Sequence, residues 1–290
     1  MRLDQRIPAS WVKYPPALTR QRPASLSAYE IAVRAWANIE GSLANGDPGS
    51  RDQALSDAKR ALAIDPNSVL ALCTLAYVQW NRIFFKSADD PQTALLDGIA
   101  AAKRAIDLDS AFGQGHWCAG LLLLAMGQGE QALISLRRAI DLNSDDVAPY
   151  IAMGLLQQTA GAADQAIMFL QRALRICPKG HYHLTAHGVL SLAHFFAKNY
   201  LEAQTHALTC VTLFNPGPPH LFHALALVGL GKIADANTSY ELARQLEPAF
   251  VESRLRGDLP YRNPEHRHRY RTFLRIAAGL EDPSAADALR

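Results

Sequence analysis

The sequence predicts an all-α solenoid of about six helix pairs closed by a C-terminal capping helix. One observation is a recurring helical line: DQALSDAKRALAIDP (52–66), EQALISLRRAIDLNS (130–144) and DQAIMFLQRALRICP (164–178). Each sets Ala, then a small or apolar residue four later, Ala three further on, and Pro or Ser five after that. A second is the period. The later Ala position holds Ala61, Ala105, Ala139, Ala173, Cys210 and Ala243, at spacings of 44, 34, 34, 37 and 33. The third is composition: 49% hydrophobic and 19% charged in 290 residues supports a sizeable core and excludes disorder as the main state.

The elements follow in order. Residues 1–24 form a basic, Pro-containing leader, 25–249 the solenoid, and 250–290 an extension with a closing helix. The opening unit, 27–66, carries its own insertion, GSLANGDPGS (41–50). Unit 69–112 carries a ten-residue insertion around Arg82 to Thr93. Units 113–146 and 147–180 are the most regular, and 181–216 has a longer entry loop, KGHYH. Within the second helix of a unit, Ala132, Leu136, Ala139 and Ile140 fall at i, i+4, i+7 and i+8, one helical face. The first helix has a small residue near its middle (Ala76, Gly120, Gly154, Ser191 or Ala224), which lets paired helices approach closely. Gly127 and Gly161 suit the turn between helices, where positive φ is useful. Pro66, Pro178, Pro216 and Pro248 block continuation of the second helix. The final segment, Pro264 to Leu280, reads as a closing helix with Tyr270, Phe273 and Leu274 on its apolar face.

This helix–turn–helix period with its Gly/Ala…Gly…Ala…Ala…Pro pattern resembles the tetratricopeptide repeat, TPR, which implies a right-handed superhelix. RPASLSAYE (22–30), FVESRLRGDLPYRNPEH (250–266) and Gly279-Leu280 are similar to the TPR region trailing the catalytic domain of bacterial class III adenylate cyclases, and to related winged-helix regulators. The resemblance implies a regulatory module in bacterial signalling, with the detached regulatory half of a cyclase as an alternative. Nothing in the sequence corresponds to the cyclase domain, so no catalytic residue carries over.

Several function classes are excluded or demoted. A net charge of +2 argues against a chain-wide nucleic-acid surface. AGLLLLAM (119–126) is far short of a membrane span, and MRLDQRIPASWVKYPP has no apolar core of a signal peptide, so a cytoplasmic location is expected. Cys73, Cys118, Cys177 and Cys210 are too widely spaced for a disulfide framework and read as buried thiols. GLGKI (229–233) lacks the Ser or Thr of a phosphate loop and reads as a turn. His181, His183, His187, His194, His206, His220 and His223 cluster late, but without HExxH or finger spacing they read as core and groove residues rather than metal ligands. No cofactor, metal or catalytic constellation is expected, and the chain reads as non-catalytic.

Two basic features remain. Lys59-Arg60, Lys103-Arg104, Arg137-Arg138 and Arg172 form a solvated outer stripe. Seven arginines lie between Arg254 and Arg275, and they supply the alternative reading of a nucleic-acid-associated protein. The preferred reading rests on the concave face. Aligned on the small residue, its inward positions are Cys73, Tyr77, Trp80 and Asn81; Trp117, Leu121 and Leu124; Ile151, Leu155 and Gln158; and Leu192 and Phe195. An apolar groove with Trp and Tyr predicts a protein partner presenting an apolar helix or extended segment.

Overall fold

A computed structural model describes residues 26–45, 48–179, 181–213 and 217–290; the 1–24 leader lies outside the described residues. Among the described residues the chain is all-helical, with fourteen α-helices, one short 3-10 turn and no strand. Twelve helices form six antiparallel pairs. These are α1 (Leu26–Asn45) with α2 (Pro48–Ile64), α3 (Val69–Phe84) with α4 (Pro91–Leu108), and α5 (Gly113–Ala125) with α6 (Gly129–Leu142). The rest are α7 (Val147–Ala160) with α8 (Ala163–Ile176), α9 (His181–Phe196) with α10 (Tyr200–Leu213), and α11 (Gly217–Gly229) with α12 (Ile233–Leu246). A short α13 (Pro248–Leu255), which sequence periodicity did not signal, and α14 (Pro264–Ala277) complete the chain.

The insertions partly lengthen the helices, with 85–90 left as a loop between α3 and α4. The first pair runs 20 and 17 residues and the second 16 and 18, against 13 and 14 in the third. Asp90 caps the long α4: its Oδ1 accepts from the Gln92 and Thr93 amides at 3.0 and 3.3 Å, with Pro91 in the first turn.

Close approach within pairs is real. A Cβ on Gly120 would lie 2.6 Å from Leu136, and one on Gly154 2.6 Å from Leu170. Ser191 fills the same role with a hydroxyl that donates to the Ala203 carbonyl at 2.8 Å. The turn between helices needs left-handed backbone. Gly127 (φ 73°), Gly161 (φ 91°) and Gly231 (φ 74°) supply it, and Lys86 (φ 59°) and Lys198 (φ 63°) adopt it in the second and fifth units.

Successive inner helices α1, α3, α5, α7, α9 and α11 pack on one another, and α9 also reaches back to α1. The Tyr182 hydroxyl donates to Glu40 at 3.2 Å across that junction. The last units meet the first ones too. Arg51 pairs with Glu247, Lys86 with Asp258, and Phe250 packs 5.6 Å from Phe84 and 6.4 Å from Phe85. Between α13 and α14 the Arg262 amide donates to Thr159 at 2.9 Å and its guanidinium to the Gly127 carbonyl. Helix α14 packs on α11 and α12, burying Tyr270, Phe273 and Leu274.

Candidate functional site

The inner helices surround a part-open apolar cavity of about 120 Å³. Its floor is built from large buried side chains: Tyr77 on α3, Trp117 and Leu121 on α5, Ile151 on α7 and Phe222 on α11. Its rim is half-buried and includes Trp80, Phe84, Leu155, Tyr182 and Val189. Pro218 and Pro219 close the α11 side, and Gly188 leaves space on α9. No Lys, Arg, Asp or Glu lines it.

Helix α3 shapes the aromatic wall. Tyr77, Trp80 and Phe84 stand at i, i+3 and i+7, one helical face. Tyr77 stacks on Trp80 at 5.9 Å and 9°, and Trp80 on Phe84 at 5.3 Å and 22°. Trp117 tilts against Tyr77 at 4.6 Å, and Trp36 of α1 supports both from behind at 5.7 and 6.2 Å. Burial holds the Tyr77 phenol far above its ordinary range, so it stays neutral.

Of the inward positions expected from sequence, Tyr77, Trp80, Trp117, Leu121, Ile151 and Leu155 meet at this cavity. Six do not line it. Cys73 is fully buried in the core of the first units. Asn81 is fully buried and donates to the Tyr77 carbonyl at 3.0 Å. Leu124 packs against the core of the first units. Gln158 is buried and donates to the Val189 carbonyl at 3.3 Å. Leu192 and Phe195 belong to the C-terminal core, where Phe195 lies 5.4 Å from Phe273.

The physical reason is a drifting level. Counted from the small residue, lining side chains stand at +1 to +8 on α3 but at −9 to −2 on α9. The lining level moves towards the N-terminal end of the inner helices from α3 to α9 and stays there on α11, where it stands at −6 to −2. One fixed register therefore serves the first units and fails the later ones. Tyr182, Leu184, Thr185, Gly188 and Val189 were missed for this reason. A lining level that moves between units was the signal that could have found them.

The histidines form a second, distinct arrangement. His187 and His206 approach Nδ1 to Nδ1 at 2.7 Å, so one imidazole N–H donates a hydrogen bond to the ring nitrogen of the other. His183 stands at 4.5 Å from His187 and His194 stacks on His206 at 5.2 Å. Burial, then neighbouring imidazoles, pushes His187 and His206 down to about 4. Among the described residues no group of three or more His, Cys, Asp or Glu side chains could hold a metal ion. The side chain of His181 lies outside the described residues. Gly229 to Ile233 is the turn between α11 and α12. Cys73, Cys118 and Cys210 are buried thiols and Cys177 is half-buried.

The basic features separate. The outer stripe from Lys59 to Arg172 is exposed. In the tail, Arg254 donates to the Asp258 carbonyl at 2.5 Å and Arg269 to the Phe196 carbonyl at 2.9 Å, both from buried positions. Arg256 and Arg275 pair with Glu252 and Glu281. Arg267 and Arg271 are exposed. No helix among the described residues is long and apolar enough to cross a membrane.

No protein-family model and no curated protein matches the sequence. Solved structures do. A thermophilic TPR protein from Thermus thermophilus superposes with a TM-score of 0.51 at 19% identity, over 76% of this chain and 98% of that one. PilF of Pseudomonas aeruginosa gives 0.50 at 16%, over 79% and 98%. A human IFIT1 dimer with m7Gppp-AAAA gives 0.66 at 15%, over 86% of this chain and 57% of that one. At these identities the likeness shows the fold: a TPR-type helical solenoid.

Proposed function

We propose that this chain is a non-catalytic protein-interaction scaffold that receives an apolar segment of a partner on its concave face. The observation that carries the reading is the uncharged, aromatic cavity to which five inner helices contribute. A fold that gathers Trp, Tyr and Phe around a part-open space has built a recognition site more readily than a core, because a core of this kind closes without voids. The arginine-rich tail gives less support to a nucleic-acid role, since five of its seven arginines bind the protein itself. The regulatory place implied by the cyclase resemblance extends the same proposal: the partner would be a signalling enzyme such as a cyclase.

The test compares capture from native-like lysate by the wild-type chain and by Trp80→Ala with Leu155→Ala. These two rim residues are half-buried, whereas Tyr77 and Trp117 are 3% exposed and hold the core. Circular dichroism checks the fold. A protein held by wild type and released by the rim variant supports the reading and identifies the partner. Equal capture by both baits sinks it.

A further inference from the structure

We propose that the cavity receives one aromatic side chain, carried on an uncharged segment of the partner. The inference rests on the scaffold reading and names the group that reading leaves open. Size comes first. About 120 Å³ is of the order of the roughly 150 Å³ engineered cavity that takes benzene. A space of this size fits one ring.

Chemistry comes second. The Tyr77–Trp80–Phe84 ladder and the tilted Trp117 line the space with rings set at several angles to one another. Aromatic pairs in offset or edge geometry gain attraction beyond the area they bury, so such a wall discriminates a ring from an aliphatic group of equal size. Charge comes third. Charged groups that touch lining residues are already engaged. Glu40 accepts from Tyr182, and Arg51, 4.0 Å over the Phe85 ring, pairs with Glu247. A charged guest would be desolvated with no counterion, which matches the site to an uncharged segment. The half-buried rim at Trp80, Leu155 and Val189 gives the ring its way in.

Two matched pairs of probes test this on the full wild-type chain: N-acetyl-L-phenylalaninamide against N-acetyl-L-leucinamide, and toluene against methylcyclohexane. Saturation-transfer NMR and thermal shift read binding. The aromatic member of each pair is expected to bind about three- to tenfold tighter. Gly188→Leu, which fills the space, should abolish binding. Gly188→Ala should leave it measurable, because its Cβ would meet Cys210 Sγ and Pro219 Cγ at an ordinary 3.7 and 3.8 Å. The matched pairs use wild type, so the test stands even where Gly188→Leu does not fold. Equal binding within both pairs, or none, overturns the aromatic assignment; the scaffold reading is then judged separately by the rim-variant capture. Toluene binding with exclusion of the capped residue overturns the partner side chain in favour of a free small molecule. Ring binding that emerges only in a Trp11→Ala, Tyr14→Ala variant makes this chain's own N-terminal segment the occupant and equally overturns the proposal.

Discussion

Arg51 and Glu247, 196 positions apart, form a buried ion pair at 2.5 Å between the first helix pair and the end of the last. Arg51 is 2% exposed and Glu247 7%, and the guanidinium also lies over Phe85. Burial pushes the Glu247 carboxyl up, and Arg51 pulls it back. Arg51→Met strands that carboxylate. The expected loss is about 3–5 kcal/mol in a denaturant titration, and the double variant Arg51→Met, Glu247→Leu should recover most of it.

Two glycines on inner helices should respond oppositely to alanine. At Gly154 a Cβ meets Leu170 at 2.6–3.0 Å, and Leu170 is fully buried. Overpacking at about 1–3 kcal/mol outweighs the helix-propensity gain of about 1 kcal/mol, so Gly154→Ala should destabilise. At Gly188 the same Cβ finds ordinary contacts, so Gly188→Ala should stabilise by up to about 1 kcal/mol. Thermal melts of the two variants check the signs.

Turn glycines should differ as well. Gly127 and Gly161 both have positive φ, and a Cβ on Gly127 meets nothing within 4 Å. A Cβ on Gly161 would lie 3.0 Å from Asn263. The Asn263 Oδ1 caps α14 by accepting from the Glu265 and His266 amides at 2.8 and 3.4 Å. Gly161→Ala should therefore cost about 1 kcal/mol more than Gly127→Ala, the worth of a cap. Hydrogen exchange should show the extra loss in α14.

Acid should act on the C-terminal half. His187, His206 and His223 are each pushed down to about 4, and His194, His220 and His266 are also lowered, all chiefly by burial. Between about 6.5, the unfolded histidine value, and about 4, the unfolded chain binds more protons than the folded one. Stability contributed by these neutral imidazoles is thus complete above about pH 6.5 and falls as pH drops towards 4. Melting temperature followed from pH 7 to 4 should decline, with amides of α9–α12 exchanging first. His187→Gln with His206→Gln should flatten the decline.

The solenoid was legible because its signals repeat: Ala and Pro at fixed positions, and glycine where helices must touch or turn. The turn at Lys86 and Lys198 was not, because lysine adopts the same backbone without advertising it. A third of the cavity wall, six of its eighteen lining residues, followed from register on the small residue. The α9 wall did not, because the lining level has moved towards the N-terminal end of that helix and leaves Leu192 and Phe195 in a different core. The i, i+4 spacing showed His183 and His187 on one face, but His206 comes from the next helix, and no local spacing reports that pairing. The same holds for Arg51 and Glu247, whose meeting depends on the summed rotation of every unit between them.

That closure bears on how such a chain can change over generations. In an open array each unit touches only its neighbours, so whole units can be gained or lost with local effect. Here the segment from Arg51 to Glu247 is measured out by the pair at its ends. Deleting or duplicating either 34-residue unit, 113–146 or 147–180, would part Arg51 from Glu247, Tyr182 from Glu40 and Phe250 from Phe84 together. Copy number is locked, and variation is channelled into outward-facing substitutions and inserts between paired helices such as that around Arg82 to Thr93.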